Sequence, residues 1–417
     1  MSSSCRKLYV ALGAAGALLG LGARSAYADN WEFLPRIEGG GTYNDNYRLA
    51  DTSAGKVDVY GPYIDAQVAA DLLSPTSKLQ IVPEVHSNYF PTDAADQSTD
   101  EYLTIDGDHK GLRSELKGIA QYSNETVIFS ELPPATFPGV ALGQVVGGAT
   151  GLVTYQNREQ LERVVPEYTY DVTQRTHLDV QAEYDHASFS HAVVRQYGFQ
   201  NYTGRIGMLF DVTPRSELSV SAVGSRFEPQ VGAKTNRYGA DLEWDFRNSQ
   251  IMHMYLRLGA NRVEAQAPQG TVSSNGITGG AGVEWDYQIT QVVLDVLRSL
   301  TPSDAGSEIV NDEVRFRVLH AFYPLFSGFF GARAVRVRGA SGKPGLAIQG
   351  EDYATAEVGC DYQLSLSFRI EATYDLTWQR FQRVPSAESN AVGLAFIYQP
   401  LSRYEPLPEF TGIPREP

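Results

Sequence analysis

The side chains most able to do chemistry in this 417-residue sequence are charged residues that recur at every second position. From Arg237 to Phe246, Arg, Gly, Asp, Glu and Asp alternate strictly with Tyr, Ala, Leu, Trp and Phe. A spacing of two places one set on each face of a β-strand, so the segment has one charged and one apolar face. The same alternation recurs in residues 177–184, 205–211, 253–258, 280–287, 354–362 and 368–375. Such rows of charge can solvate a wall, pair with each other, or select ions and polar solutes.

The histidines and glycines give no comparable signal for catalysis or metal binding. The 7 His residues show neither an H-E-x-x-H pattern nor a Cys/His metal spacing. His186 and His191 flank Ser188 and Ser190, which leaves a Ser–His pair open, although a solvated loop is the simpler interpretation. The run from Gly143 to Gly151 does not open a helix after a strand, so it does not predict a phosphate-binding loop. We expect no catalytic residue, metal ion or cofactor, and keep an outer-membrane hydrolase as a minor alternative.

The N-terminus predicts export. Arg6 and Lys7 precede an apolar stretch from Leu8 to Leu21, and Ala26-Tyr27-Ala28 matches an A-x-A cleavage site. These are the three parts of a secretory signal peptide, which we assign to residues 1–28. A formal net charge of −15 argues against a nucleic-acid partner, because neutralising phosphates requires a basic surface.

Tight turns divide the rest of the chain at regular intervals. The turn D-V-T-Q-R-T at 171–176 returns as D-V-T-P-R-S at 211–216. Looser versions lie at 74–77, 109–111, 247–250, 288–290, 324–327 and 363–365. Longer polar stretches separate these turns, and the widest interval contains the Gly- and Pro-rich segment 132–156. Eight tight turns join 16 strands, and a first strand near Phe33–Tyr43 and a last near Ala391–Gln399 bring the prediction to about 18, with 16 possible.

These elements favour a single transmembrane antiparallel β-barrel of all-β class over a soluble sandwich. The strands are long enough to cross a bilayer, aromatic residues cluster near their ends, and closure removes exposed sheet edges. Short turns are expected in the periplasm and long loops outside the cell. We assign the barrel to residues 29–400 and a periplasmic Pro-rich tail to 401–417. Gly393, Phe396 and Tyr398 resemble the assembly signal on the last strand of outer-membrane proteins, which implies outer-membrane lipid and the barrel-assembly machinery as partners.

If the apolar face meets lipid, the charged face lines the inside. The candidate lining residues are Arg205, Arg237, Asp241, Glu243, Arg257, Glu284, Arg315, Arg317, Glu357, Arg369 and Glu371. Both signs of charge occur, so the lining is either a solvated ladder of salt bridges or a solute-selecting surface. Between Phe329 and Arg338 the alternation slips, and we predict a β-bulge that returns Arg333, Arg336 and Arg338 to the inside.

The N-terminal third of the mature chain resembles the outer-membrane β-barrels of exopolysaccharide loci, the putative porin group with EpsL-like members. The resemblance rests on Gly41-Thr42-Tyr43-Asn44-Asp45-Asn46, Pro62 and Ser87-Asn88-Tyr89-Phe90. It implies an outer-membrane conduit for a polysaccharide, with a periplasmic export protein as partner. The alternative is a general or substrate-selective diffusion porin, for which the segment 132–156 is the candidate constriction loop.

Overall fold

A computed structural model describes residues 30–53, 55–91, 97–131, 157–191, 196–249, 251–267, 270–304, 306–339, 351–381 and 385–400. The predicted signal peptide, the segment 132–156 and the C-terminal tail lie outside these residues. The strands are β1 (Asn30–Asn44), β2 (Val59–Leu73), β3 (Ser77–Asn88), β4 (Ser98–Lys110), β5 (Ser114–Thr126), β6 (Arg158–Thr173), β7 (Thr176–Phe189), β8 (Phe199–Thr213), β9 (Ser216–Pro229), β10 (Lys234–Ser249), β11 (Met252–Ala267), β12 (Gly270–Tyr287), β13 (Thr290–Pro302), β14 (Glu308–Tyr323), β15 (Phe326–Gly339), β16 (Glu351–Ser365), β17 (Phe368–Phe381) and β18 (Ala387–Tyr398). A five-residue helix, α1 (Val127–Glu131), follows β5. No helix among the described residues is long and apolar enough to span a membrane.

The described strands form one closed barrel of 18 antiparallel strands, as the sequence predicts. Each strand pairs with its neighbours in sequence, and β1 closes the ring by pairing with β18 from Ile37↔Tyr398 to Asn44↔Ala391. The short turns, the start of β1 and the end of β18 lie at one end of the barrel, called here the turn end. The longer connections lie at the other, the loop end. Short periplasmic turns and long extracellular loops are the arrangement of outer-membrane barrels.

The outer face carries the apolar residues of the alternation. Leu242, Leu258 and Phe396 are 45%, 56% and 57% exposed, and each lies within a strand where an apolar side chain would be buried in a soluble sheet. Outward aromatic residues collect at the turn end, including Tyr168 and Trp244. An exposed apolar belt with an aromatic border is the surface that a bilayer covers. The chain is therefore a multi-pass protein of the outer membrane.

The predicted bulge in β15 is wrong. The register of β14 with β15 runs without a shift from Ile309↔Gly339 to Ala321↔Ser327. Without an extra residue the alternation is kept, so Arg333 lies on the inner face while Arg336 and Arg338 lie on the outer face. The irregular alternation reflects a change of environment along the strand, because beyond the apolar belt the outer face becomes charged.

The described residues of three connections meet at the loop end: 190–191 with 196–198, 230–233, and 303–304 with 306–307, called the mouth loops. The amide of Tyr197 donates a hydrogen bond to the carbonyl of Asp304 over 2.8 Å, although β8 to β13 separate the two loops along the ring. A Cβ at Gly306 would lie 2.3 Å from the carbonyl oxygen of Val231, so only glycine permits this approach. Residues at the end of the β13–β14 hairpin therefore contact the connections between β7 and β8 and between β9 and β10.

Candidate functional site: the inner face and the long loop

All predicted lining residues lie on the inner face of the barrel. Arg205, Arg237, Asp241, Glu243, Arg257, Glu284, Arg317, Glu357, Arg369 and Glu371 are half-buried there, and Arg315 is buried. The face is assigned by contacts that only an inner surface permits. The Nη1 atom of Arg237 on β10 donates to the carbonyl of Leu300 on β13 over 2.5 Å, which is possible only across the inside of the wall.

Most of these charges have partners on neighbouring strands. The guanidinium of Arg257 contacts the Glu243 carboxylate at 2.6 Å, and Arg369 Nε lies 3.9 Å from Asp361. Neutral groups complete the lining, since Arg205 Nε donates to Ser221 Oγ over 3.1 Å. Charge pairs therefore join adjacent strands at several of these positions, and the choice between a solvated ladder and a solute-selecting surface stays a prediction.

The most buried part of the inner face is a network that the sequence alone did not single out. The Tyr255 hydroxyl donates to Asp295, and Arg315 pairs with the same carboxylate. Arg333 Nε lies 2.7 Å from Glu313 Oε1, and Arg315 Nε lies 3.7 Å from the same oxygen. Asp295, Glu313 and Arg333 are only 1%, 4% and 3% exposed. Buried charges are accommodated inside a protein when they are paired and hydrogen-bonded in this way, so the network joins the wall from β11 to β15.

The residues of this network lie opposite one another on paired strands. Asp295 faces Arg315 across β13–β14, and Arg315 faces Arg333 across β14–β15. A Cβ at Gly280 on the intervening strand β12 would lie 2.8 Å from the Tyr255 hydroxyl, so a glycine leaves the space through which Tyr255 reaches β13. Predicting the network from the sequence would require the register between strands, and alternation within a single strand does not give that register.

Acidic side chains dominate the inner face. At inner positions of the described strands, Asp and Glu outnumber Lys and Arg by more than two to one. Asp241 and Glu243 on β10 and Asp179 and Glu183 on β7 are examples, and each lies among half-buried neighbours. Fixed negative charge along a water-filled passage raises the local concentration of cations and lowers that of anions.

The connection between β5 and β6, residues 127–157, is the long loop. The residues on either side of it, Thr126 and Arg158, both bind one carboxylate. This is the carboxylate of Asp100 on β4, which is fully buried. Oδ1 of Asp100 accepts hydrogen bonds from the amide and the hydroxyl of Thr126, both at 2.9 Å, and lies 3.0 Å from Arg158 Nη1. Arg158 also donates to the carbonyl of Asn124 over 2.6 Å. The loop therefore leaves the wall from a rigid base.

The start of the long loop turns inward. Glu131, the last residue of α1, is 3% exposed. Burial, together with the smaller effect of the Glu131 charge, raises the pKa of Glu159 on β6 to about 8 and that of Glu351 on β16 to about 9. Both glutamates lie at the loop end, above the apolar belt. Since β6 and β16 are almost opposite on the ring, one loop residue acts on two facing walls.

An apolar patch lies on the inner face beside Glu351. Ile309, Val335, Val337 and Tyr353 form a cluster in which none is more than 3% exposed. Apolar side chains on the inner face of a water-filled barrel would be wet if nothing covered them. Their burial marks the loop-end half of β14–β16 as a part of the inner face from which water is excluded.

The Ser–His pair left open by the sequence has a structural explanation. The Ser190 hydroxyl donates to Asn157 Oδ1 over 3.1 Å and accepts from the Arg158 amide at 3.2 Å. Its hydrogen is thus directed away from His191, whose Nδ1 lies 3.1 Å from the same oxygen. In the described residues no group of three or more His, Cys, Asp or Glu side chains is arranged to hold a metal ion.

Comparisons with known proteins return structures but no sequence relatives. No protein-family profile matches the chain, and no curated protein sequence matches it. Among solved structures it is similar to OccK2 of Pseudomonas aeruginosa in complex with glucuronate, with a TM-score of 0.47 and 11% identity over 89% of this chain and 99% of that one. It is also similar to OccAB2 of Acinetobacter baumannii (0.46, 10%, covering 88% and 98%) and to the outer membrane channel DcaP of the same species (0.45, 15%, covering 91% and 99%). The likeness to barrels of exopolysaccharide loci stays a prediction.

Proposed function

We propose that the protein is a passive outer-membrane channel for small polar solutes, with a preference for cations. The observation that carries the proposal is the position of Glu131, whose charge acts on Glu159 and on Glu351 on nearly opposite walls. A residue that acts on both walls lies within the passage at the loop end, which is the position that a constriction loop takes in a diffusion porin. The apolar patch beside Glu351 supports the same picture.

The cation preference rests on the excess of inner acids. A barrel of 16–18 strands encloses an aqueous channel. Within such a channel, fixed carboxylates that exceed the fixed guanidinium and ammonium groups leave an uncompensated negative potential. The network of Asp295, Arg315, Glu313 and Arg333 is buried and balances two acids with two arginines, so selectivity is assigned to the acidic walls on β7 and β10 instead.

The experiment is a planar-bilayer recording of the purified protein under a KCl gradient. A reversal potential with the sign of the K⁺ equilibrium potential supports the proposal. A reversal potential near zero, or with the sign of the Cl⁻ equilibrium potential, contradicts it. The matched variant is Asp241→Asn/Glu243→Gln, which removes two inner charges from one wall and should move the reversal potential toward zero. The control is Glu228→Gln, which removes one charge from the outer face.

Export of a polysaccharide is the second candidate function. Tyrosines on the inner face favour it, since the half-buried rings of Tyr63 and Tyr102 offer surfaces on which sugar rings stack. Their hydroxyls are bonded to acids of the wall, for example Tyr63 to Glu38 Oε1 at 2.8 Å. Deleting the gene and quantifying secreted and periplasmic polymer tests this function. Polymer trapped in the periplasm supports it, and unchanged secretion contradicts it.

A further inference from the structure

The outer face carries a row of charges at the loop end that takes no part in the channel. The row crosses five strands in register: Arg298↔Asp312 on β13–β14, Asp312↔Arg336 on β14–β15, Arg336↔Asp352 on β15–β16, and Asp352↔Arg380 on β16–β17. Arg338, two residues beyond Arg336, returns to Asp312 with its Nη2 atom 3.4 Å from Oδ2. These six residues are called the outer rim row.

The aspartates hold the arginines in place without neutralising them. Arg298 Nε lies 2.8 Å from Asp312, and Arg336 Nε and Arg380 Nη2 each lie 2.7 Å from Asp352. Four guanidinium groups share two carboxylates, so the row has an excess of two positive charges in a chain whose net charge is −15. The arginine side chains are 45–56% exposed, so several of their N–H donors face outward.

The row stands directly above apolar surface. The next outward residue toward the turn end is Val296 on the strand of Arg298 and Val314 on the strand of Asp312. These two valines are 48% and 44% exposed. The position below Arg380 is Trp378, and the guanidinium lies 5.7 Å from the centre of its ring. A ligand that fits this boundary has anionic groups at one end and hydrocarbon at the other.

The spacing of the arginines restricts the ligand further. Adjacent strands lie about 4.8 Å apart, so Arg298, Arg336 and Arg380, on alternate strands, are separated by roughly 10 Å each. A guanidinium group binds phosphate oxygens in a forked, two-bond geometry, and its charge-assisted bonds are stronger than neutral ones. Because the hydrogen bond from Arg336 lowers the pKa of Asp352, that carboxylate stays ionised and keeps the two arginines positioned.

We propose that the outer rim row binds the phosphorylated head group of a lipid in the outer leaflet, with the acyl chains lying on the apolar belt below. A free phosphate would satisfy the arginines alone, whereas a lipid also satisfies the apolar surface under them. The site is independent of the channel, because its side chains are on the opposite face of the wall from the inner acids.

The test uses the full-length protein in detergent and lipid A as the probe, with and without its phosphates. The wild type should bind phosphorylated lipid A at least about tenfold more tightly than the phosphate-free form, since each lost set of charge-assisted bonds is worth that factor or more. Arg336→Gln/Arg338→Gln should lose about the same factor. The double variant leaves Asp312 paired with Arg298 and Asp352 paired with Arg380, and the heat-dependent shift of barrels on gels verifies its fold.

The matched control is Arg226→Gln/Arg262→Gln. These arginines are also on the outer face at the loop end, but each pairs with a glutamate two residues along its own strand, Arg226 with Glu228 at 2.6 Å and Arg262 with Glu264 at 2.9 Å. Lipid A binding by this control should stay at the wild-type value. Equal binding by Arg336→Gln/Arg338→Gln and the wild type overturns the proposal, and so does equal loss in the control. Displacement of lipid A by equimolar pyrophosphate also overturns it, because the site would then bind a free anion.

Discussion

Asp100 on β4 and Arg158 at the start of β6 meet across the intervening strand β5, with Arg158 Nη1 3.0 Å from Asp100 Oδ1. The same oxygen accepts both hydrogen bonds of Thr126. The loop between β5 and β6 therefore begins and ends on a single buried carboxylate. The two ends of the loop are therefore held at a fixed separation by this carboxylate.

Replacing Asp100 should loosen the long loop. Asp100→Asn keeps an oxygen for Thr126 but removes the charge opposite Arg158, so we expect a loss of about 1–3 kcal/mol in the free energy of unfolding. Single-channel records should show larger current fluctuations, because the loop base is no longer fixed. The control is Asp106→Asn on the same face of β4, distant from the loop base. Unchanged current noise in Asp100→Asn would show that the base does not restrain the loop.

Shortening the long loop should widen the channel. Removing residues 134–152 takes away most of the segment that follows Glu131, and we expect single-channel conductance to rise. Removing residues 342–348, between β15 and β16, is the control and should leave conductance near the wild-type value. If the first deletion leaves conductance unchanged, the segment does not narrow the pore, and the constriction must be assigned to the mouth loops.

The fold could be predicted from the sequence more fully than the site. Alternation and repeated turns give 18 strands and the inner face, because both follow from local rules of period and turn chemistry. The bulge predicted near Arg336 was wrong because a strand extends beyond the membrane, where its outer face no longer has to be apolar. The network around Asp295 and the approach of Glu131 to two walls depend on contacts between distant strands, which a single-strand pattern does not contain.

A charge introduced on the outer apolar belt should lower the free energy of unfolding far more than a charge introduced on the inner face. Leu242 is outward and 45% exposed, so Leu242→Arg places a guanidinium in lipid and should cost about 2–4 kcal/mol near the bilayer midplane. Gln181→Arg is the matched control, because Gln181 faces inward between Glu167 and Arg205 in register. Folding into vesicles under a urea gradient measures both. Equal costs for the two variants would mean that the belt does not contact hydrocarbon.

The selectivity of the channel should increase with pH above neutrality. Burial raises the pKa of Glu351 to about 9 and that of Glu159 to about 8, so both are largely protonated at pH 7. As the pH rises through these values they ionise beside Glu131, and the constriction gains negative charge. The reversal potential under a KCl gradient should therefore shift further toward that of K⁺ between about pH 7 and pH 10.

The same two groups should make the folded barrel less stable as pH rises. A carboxyl whose pKa is higher in the folded state binds more protons there than in the unfolded chain. The free energy of unfolding therefore falls as the pH rises from about 4.5, the ordinary pKa, to the folded-state pKa values of about 8 and about 9. Neighbouring charges contribute to both raised pKa values: Glu131 acts on both groups, Asp352 on Glu351, and Glu125 on Glu159.

The variant Glu159→Gln/Glu351→Gln should remove the pH dependence of the reversal potential. Gln keeps the size and the hydrogen bonds of the protonated acid but cannot ionise, so the potential should stay at its pH 7 value. Glu228→Gln is the control, because the hydrogen bond from Arg226 lowers the pKa of Glu228 and leaves it ionised throughout this range. A pH-dependent shift of full size in Glu159→Gln/Glu351→Gln would assign the titration to other groups and separate the long loop from ion selectivity.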